Sequence, residues 1–118
     1  MAKIMIADDS DSIRSVLKDI LSIGEHDVIA EAVDGEDAIA KFSETKPDLV
    51  LLDLAMPKID GLKVLEEMMK LNPESKIVLI TASDDPQIIG KCMEKGALAY
   101  VSKPFDFNNV LKVISDCL

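Results

Sequence analysis

The chain has 118 residues, with 13 Lys plus Arg against 22 Asp plus Glu, a formal net charge of −9 and 48% hydrophobic residues. That length is one domain's worth, enough to bury about two-thirds of the unfolded surface in one core. The acidic balance excludes a surface built to neutralise nucleic-acid or anionic-lipid phosphate, and runs such as Leu49 to Leu52 fall far short of the ~20 apolar residues of a membrane span. Cys92 and Cys117 alone make no disulfide framework, and the apolar run after Met1 leads into Asp8 and Asp9 instead of a cleavage site. A reducing, cytoplasmic setting is the expectation.

In chain order, the first predicted strand is Lys3 to Ala7. Ser10 or Ser12 then caps a helix in which Ile13, Val16, Leu17, Ile20 and Leu21 follow the i, i+3, i+4, i+7, i+8 spacing of one apolar stripe. Asp27 to Ala32 is the second strand, and after a turn at Asp34 and Gly35 a shorter stripe of Ala38, Ile39 and Phe42 follows. Asp48 to Leu52 is the third strand. Leu62, Leu65, Met68 and Met69 mark the third helix, which Asn72 and Pro73 stop. The fourth strand is Lys76 to Thr81. The fourth helix begins near Pro86, carries Ile89, Cys92 and Met93, and ends with Gly96 at C′, where a left-handed conformation costs Gly little. Ala99 to Ser102 is the fifth strand, and Asp106 caps a last helix presenting Phe107, Val110, Leu111, Ile114 and Cys117.

Five strand-then-helix units thus fill residues 1–118 as a single domain with no linker between them. Strands one, three and four are continuous apolar runs, the pattern of strands covered by helices on both faces, so the sheet is expected to be parallel. Alternating units joined by right-handed crossovers then give an α/β three-layer sandwich. In such sheets ligands bind beyond the carboxyl ends of the strands.

At those ends stand Asp8 and Asp9, Asp53, Thr81, and the run Ser102, Lys103, Pro104. Taken singly, each is an ordinary turn or cap residue. Taken together, four strand ends deliver three carboxylates, a hydroxyl and one ammonium to a single edge. Two carboxylates ~5 Å apart repel by about 3 kcal/mol at an effective dielectric of ~20, so three need a counter-charge. Hard oxygen donors of this kind suit Mg²⁺, which commonly bridges a carboxylate to a phosphoryl oxygen. Asp53, alone at its strand end, is the candidate nucleophile, a carboxylate able to form an acyl phosphate. Lys103 and Thr81 are the candidates for holding the transferred oxygens.

These residues carry a resemblance. The acidic pair Asp8 and Asp9, the stretch from Asp48 to Pro57 followed by Asp60-Gly61, the pair Thr81-Ala82, and Lys103-Pro104-Phe105 are similar, in order and spacing, to the receiver domains of two-component response regulators. Within that family the chain looks like the single-domain chemotaxis regulators. The resemblance implies a flavodoxin-like (βα)5 fold with strand order 2-1-3-4-5. It further implies that Asp53 accepts a phosphoryl group from a phosphohistidine on a sensor histidine kinase. Asp9, Asp53 and the backbone carbonyl of Ala55 would bind Mg²⁺ directly, and Asp8 would act mainly through a metal-bound water. Lys103 would pair with the phosphoryl group, Thr81 would swing its hydroxyl onto it, and Tyr100 would turn inward as the coupled aromatic switch. The Lys103-Pro104 bond is expected to be cis. Output would be read from the face of the fourth helix, fifth strand and fifth helix by a motor, adaptor or phosphotransfer protein, with a phosphatase as a further partner. The protein itself is expected to be a monomer.

Ala55 and Ser83, two residues beyond Asp53 and Thr81, bring no charged or amide group to positions that tune acyl-phosphate lifetime in the family. His26 lies before the second strand, away from the strand ends, and both cysteines read as small hydrophobes. Other classes fit less well. A haloacid-dehalogenase-like phosphatase needs a second Asp where Ala55 stands, so turnover of an external substrate is not expected. A flavodoxin-like electron carrier needs a Ser/Thr and Gly-rich phosphate loop after the first strand and aromatics around the flavin, against Asp8-Asp9-Ser10 and 3% aromatic residues here. A nucleotide triphosphatase needs a Gly-rich loop with Lys and Ser/Thr, which the sequence lacks. A phosphorelay intermediate, or a receiver belonging to a longer regulator, would carry the same residues.

Overall fold

Strands and helices alternate without exception in the computed structural model, which describes residues 2–82 and 85–118. The order is β1 (Lys3–Ala7), α1 (Asp11–Ile23), β2 (Asp27–Ala32), α2 (Gly35–Thr45), β3 (Leu49–Leu52), α3 (Gly61–Leu71), β4 (Lys76–Thr81), α4 (Pro86–Glu94), β5 (Ala99–Ser102) and α5 (Phe107–Cys117). All five strands pair in parallel, in the order β2-β1-β3-β4-β5. No helix among the described residues is long and apolar enough to cross a membrane.

Because strand side chains alternate between faces, the sheet sorts its apolar residues into two cores. Ile4, Ile6, Leu49, Leu51, Val78, Ile80 and Val101 face α1 and α5, meeting Leu17, Leu21, Val110 and Ile114. Met5, Ala7, Val50, Leu52, Ile77 and Leu79 face the other way, onto Phe42 of α2, Leu65 and Met68 of α3, and Cys92 of α4. The three inner strands are buried along nearly their whole length, whereas β2 is mostly half-buried and β5 buries only Val101. With both faces filled by hydrocarbon, polar side chains belonging to the inner strands have only the strand ends to occupy.

Each helix starts on a side-chain cap. Ser10, Asp34, Asp60, Asp85 and Asp106 accept hydrogen bonds from the backbone N–H of Ile13, Asp37, Lys63, Gln87 and Asn109 respectively. A cap contributes about 1 kcal/mol, and a carboxylate there also complements the helix dipole. Four of the acidic residues behind the net charge therefore hold helix ends.

Of the two serines offered as caps for α1, Ser10 is the one used. The structure departs from the sequence reading elsewhere. The apolar stripe of α1 does not include Val16, which is about half exposed, because Arg14 occupies the buried side of the helix instead. Met93 of α4 and Phe107 of α5 are likewise exposed, since the edge strand β5 leaves the sheet too narrow to cover them. The third strand begins at Leu49, not Asp48. Asp48 donates its N–H to the Lys3 carbonyl at 2.7 Å while its carboxylate accepts from the Lys3 N–H at 2.8 Å, so a side chain replaces the next rung of the ladder. His26 also has a structural role, accepting from the Ala2 N–H on Nδ1 at 3.2 Å.

Two glycines test this packing in opposite directions. A Cβ on Gly35 would lie 2.3 Å from the Ile59 carbonyl oxygen and 2.7 Å from its Cβ, where α2 meets the loop after β3. On Gly90, midway along α4, a Cβ would meet nothing within 4 Å. Gly35→Ala is expected to lower the urea midpoint by the equivalent of about 1–3 kcal/mol. Gly90→Ala is expected to raise it by about 0.5–1 kcal/mol, by removing the entropic cost of Gly in a helix interior.

Candidate functional site

The switch in strand order, between β1 and β3, opens a crevice at the carboxyl end of the sheet, and the chain fills that edge with its buried polar residues. Asp8 follows β1, Asp53 follows β3, Thr81 closes β4 and Lys103 follows β5. Asp8, Asp53 and Thr81 are almost completely buried, while Asp9 is exposed at the mouth. Carboxylate oxygens of Asp8, Asp9 and Asp53 all lie within 4.8 Å of one another. At that spacing each pair repels by about 3 kcal/mol or more at an effective dielectric of ~20.

Backbone groups fix the two buried acids. Asp8 donates its N–H to the Ala32 carbonyl of β2 at 3.1 Å, and Asp53 donates to the Ala7 carbonyl of β1 at 2.9 Å. The Asp8 carboxylate accepts from the Ser10 N–H at 2.9 Å, and that of Asp53 from the Ala55 N–H at 3.2 Å. The loop after β3 is pressed onto the start of α3, where a Cβ on Gly61 would lie 2.4 Å from the Leu54 Cα and 3.0 Å from the Asp53 carbonyl oxygen. Only Gly permits that approach.

One ammonium answers the carboxylates. Lys103 Nζ lies 2.8 Å from Asp8 and 3.4 Å from Asp53, so among the described residues it pairs more closely with Asp8. It arrives there because its N–H continues the sheet, donating to the Thr81 carbonyl at 2.8 Å. The Lys103-Pro104 peptide is cis, as the family resemblance implies. Burial raises the Asp53 pKa above the ordinary carboxylate value, and the Asp8 charge adds to this, against the lowering effects of the Ala55 N–H and Lys103. Burial opposes the charge on Lys103, but its hydrogen bond to Asp8 and the charges of Asp53 and Asp8 outweigh that and hold its pKa up.

Beside these groups lies a cavity of about 470 Å³. Asp9, Asp53, Asp60, Thr81 and Lys103 give it polar lining, and Leu54, Ala55, Ala82, Leu62 of α3 and Ile88 of α4 give it apolar lining. The sequence reading did not single out Leu54, Ile88 or Asp60 for the site. Leu62 and Asp60 were legible only as a helix-stripe residue and as part of the Asp60-Gly61 motif. Ser83 lies outside the described residues.

Tyr100 is close to half exposed on β5, in register with Leu79 of β4. Two residues further along the same face, Thr81 pairs with Ser102, so Thr81 and Tyr100 are diagonal neighbours on adjacent strands. Cys92 is buried and Cys117 half-buried, and burial pushes both thiols upward, as befits inert packing residues.

Arg14 is a charged residue that periodicity did not pick out. It stands at i, i+3 and i+7 with Leu17 and Leu21, on the buried side of α1. Its Nη1 donates to the Asp8 carbonyl at 2.6 Å, its Nε to Glu31 of β2 at 3.2 Å, and its Nη2 to Asp11.

Comparison with known proteins places these features in a context. The family model of the response regulator receiver domain matches residues 4–115. The chain is 35% identical to the chemotaxis protein CheY of Listeria monocytogenes, over 97% of this chain and 96% of that protein. It is 38% identical to a protein-glutamate methylesterase/protein-glutamine glutaminase of Haloarcula marismortui, over 85% of this chain but 27% of that protein. Among solved structures, the complex of CheX, CheY, BeF3 and Mg from Borrelia burgdorferi superposes with a TM-score of 0.94 at 32% identity, covering 98% of this chain and 89% of that one.

The charge balance predicts how stability responds to pH without divalent cations. A carboxyl whose pKa is raised on folding holds its proton longer in the native state than in the unfolded chain. Its ionisation therefore costs nothing below the unfolded pKa and reaches its full cost above the folded one. Asp53→Asn in EDTA is expected to raise the melting temperature by a few degrees at pH 7, with the advantage over wild type shrinking as pH falls from the raised Asp53 pKa toward the ordinary Asp value and gone below it. Thermal unfolding across pH measures this.

Proposed function

The chain belongs to the response regulator receiver domain family, and on that premise we propose that it is a phosphorylation-activated switch whose phosphoacceptor is Asp53. The observation that carries the reading is the convergence of Asp8, Asp9, Asp53 and Lys103 on one strand-end crevice at the carboxyl side of a parallel sheet. We read residues 1–118 as one receiver unit, built on one sheet with a core on each face.

In this reading a carboxylate oxygen of Asp53 attacks the phosphorus of a phosphohistidine on a sensor kinase. The P–N bond breaks, its electron pair stays on the imidazole, and an acyl phosphate forms on Asp53. The donor set fits Mg²⁺. Asp9, Asp53 and the Ala55 carbonyl would hold it, with Asp8, already engaged by Lys103 and the Ser10 N–H, contributing mainly through water. Bound there, Mg²⁺ supplies charge neutralisation on the phosphoryl oxygens. Lys103 shifts from its Asp8 pairing toward the new dianion, and the Thr81 hydroxyl supplies a further hydrogen bond. Both residues position and stabilise. Neither needs to exchange a covalent bond.

The dianion favours whichever arrangement of the segment after β4 lets Thr81 reach it, and a bias of a few kcal/mol redistributes two pre-existing states. Tyr100, exposed here and diagonal to Thr81, is placed to change its packing with that segment. Ile88 and Met93 on α4, Leu98 in the loop that follows, and Tyr100 on β5 are exposed. We take the face made with α5 as the surface read by a downstream motor, adaptor or phosphotransfer protein. The chemotaxis relatives favour motility signalling, and we place the protein in the cytoplasm as a monomer. The match to one part of a longer methylesterase favours, as a second reading, a receiver serving a larger regulator.

Incubation with Mg²⁺ and acetyl phosphate is expected to add one acid-stable, base-labile phosphoryl group by intact-protein mass. Asp53→Asn is expected to add none, and EDTA to abolish the reaction. Lys103→Met is expected to slow phosphorylation at least about 10-fold, the loss of one charge-stabilising donor. Labelling that persists in Asp53→Asn would disprove the site assignment.

A further inference from the structure

Arg14 is more than nine-tenths buried, and among the described residues its guanidinium bonds to none of the three acidic side chains of the crevice. What it touches is the peptide that joins two of them. Nη1 donates to the Asp8 carbonyl at 2.6 Å, and that carbonyl belongs to the peptide plane between Asp8 and Asp9. The N–H of Asp8 is held on the other side by the Ala32 carbonyl of β2. A change of ψ at Asp8 would turn that carbonyl and carry Asp9 with it, swinging the Asp9 carboxylate away from those of Asp8 and Asp53. The guanidinium is itself held, through Nε to Glu31 of β2 and Nη2 to Asp11. Glu31 takes a second ion pair from Lys18 at 3.1 Å.

Extending the proposed function and resting on its assignment of Mg²⁺, we propose that Arg14 is a positioning residue for the metal site. It fixes the Asp8–Asp9 peptide so that the exposed Asp9 carboxylate is preset within reach of the buried pair. The contribution is geometric. Two acidic and two basic groups, Asp11 and Glu31 with Arg14 and Lys18, form a closed network of no net charge, so the cation of Arg14 is already answered by its own partners. A planar fork with separate donors to a carbonyl and two carboxylates also has no equivalent in Lys, which offers one compact ammonium. Groups that orient metal ligands from behind commonly set affinity by 10- to 100-fold.

The charge reading and the positioning reading make opposite predictions. If Arg14 mattered only as a nearby cation, Arg14→Met would remove a repulsion and tighten Mg²⁺ binding, and Arg14→Lys would bind like wild type. If it positions Asp9, both variants weaken Mg²⁺ binding by about 10-fold or more. Titration calorimetry of full-length wild type, Arg14→Met, Arg14→Lys and Glu31→Gln with MgCl₂ alone reads this, with far-UV circular dichroism at the same temperature showing that each is folded. Glu31→Gln keeps the Asp8 contact of Arg14 and is expected to weaken binding less than either Arg14 variant. Folded Arg14 variants with unchanged or tighter Mg²⁺ binding overturn the positioning role alone. A wild-type protein that binds no Mg²⁺ overturns the metal assignment itself, and the positioning role with it. If Arg14→Met does not fold, Arg14→Lys decides.

Discussion

Like charges held close together at the carboxyl edge of the sheet are the constraint on which the rest of this structure depends. Three carboxylates within 4.8 Å of one another cannot persist unless the scaffold prevents their retreat. Two of them are therefore tied by their main-chain N–H groups to neighbouring strands, and one ammonium is brought across from the far side of the chain in sequence. The energy that holds them comes from the two apolar cores. Burial of Leu, Ile, Val and Met on both faces supplies on the order of 2 kcal/mol per side chain, far above the few kcal/mol of repulsion at the edge. Stability is produced in the middle of the sheet and spent at its end.

That division also accounts for the distribution of negative charge. Asp34, Asp60, Asp85 and Asp106 sit at helix N-termini, where the dipole favours them. Asp8 and Asp53 are buried in the crevice, and Lys103 is the only cation paired with both among the described residues. The same residue type is structural in one place and held under electrostatic load in the other. Burial distinguishes the two groups.

The fold was legible because its signals are local. Continuous apolar runs at β1, β3 and β4, Gly96 in the left-handed region after α4, and the cap at Asp106 each have a short-range cause. The strand order came with the family likeness, since periodicity alone does not rank neighbouring strands. The candidate acids, Thr81 and Lys103 were legible because residues just past parallel strands share one edge. What sequence reasoning missed depends on tertiary placement. Arg14 was invisible because a charged residue is assigned to solvent by default, and its burial is made tolerable by Glu31 of β2, Asp11 and the Asp8 carbonyl. Val16 was misplaced because the buried side of α1 runs through Arg14, and Phe107 because a periodic stripe does not reveal how wide a sheet is available to cover it.

The odd-and-even sorting of strand residues has a consequence for how such a chain can change over evolutionary time. Insertion or deletion of one residue within β3 or β4 would exchange the side chains of the two cores and carry Asp53 or Thr81 to the wrong face. Substitution is thus open to these strands, but changes of length are not. Among the described residues the one register irregularity lies between Ile4 and Met5 on the pairing with β2, the half-buried edge, where a slip displaces few packed side chains. Length variation among related chains should therefore gather at the edge and in the loops opposite the crevice, leaving the inner strands as a fixed ruler between the acids.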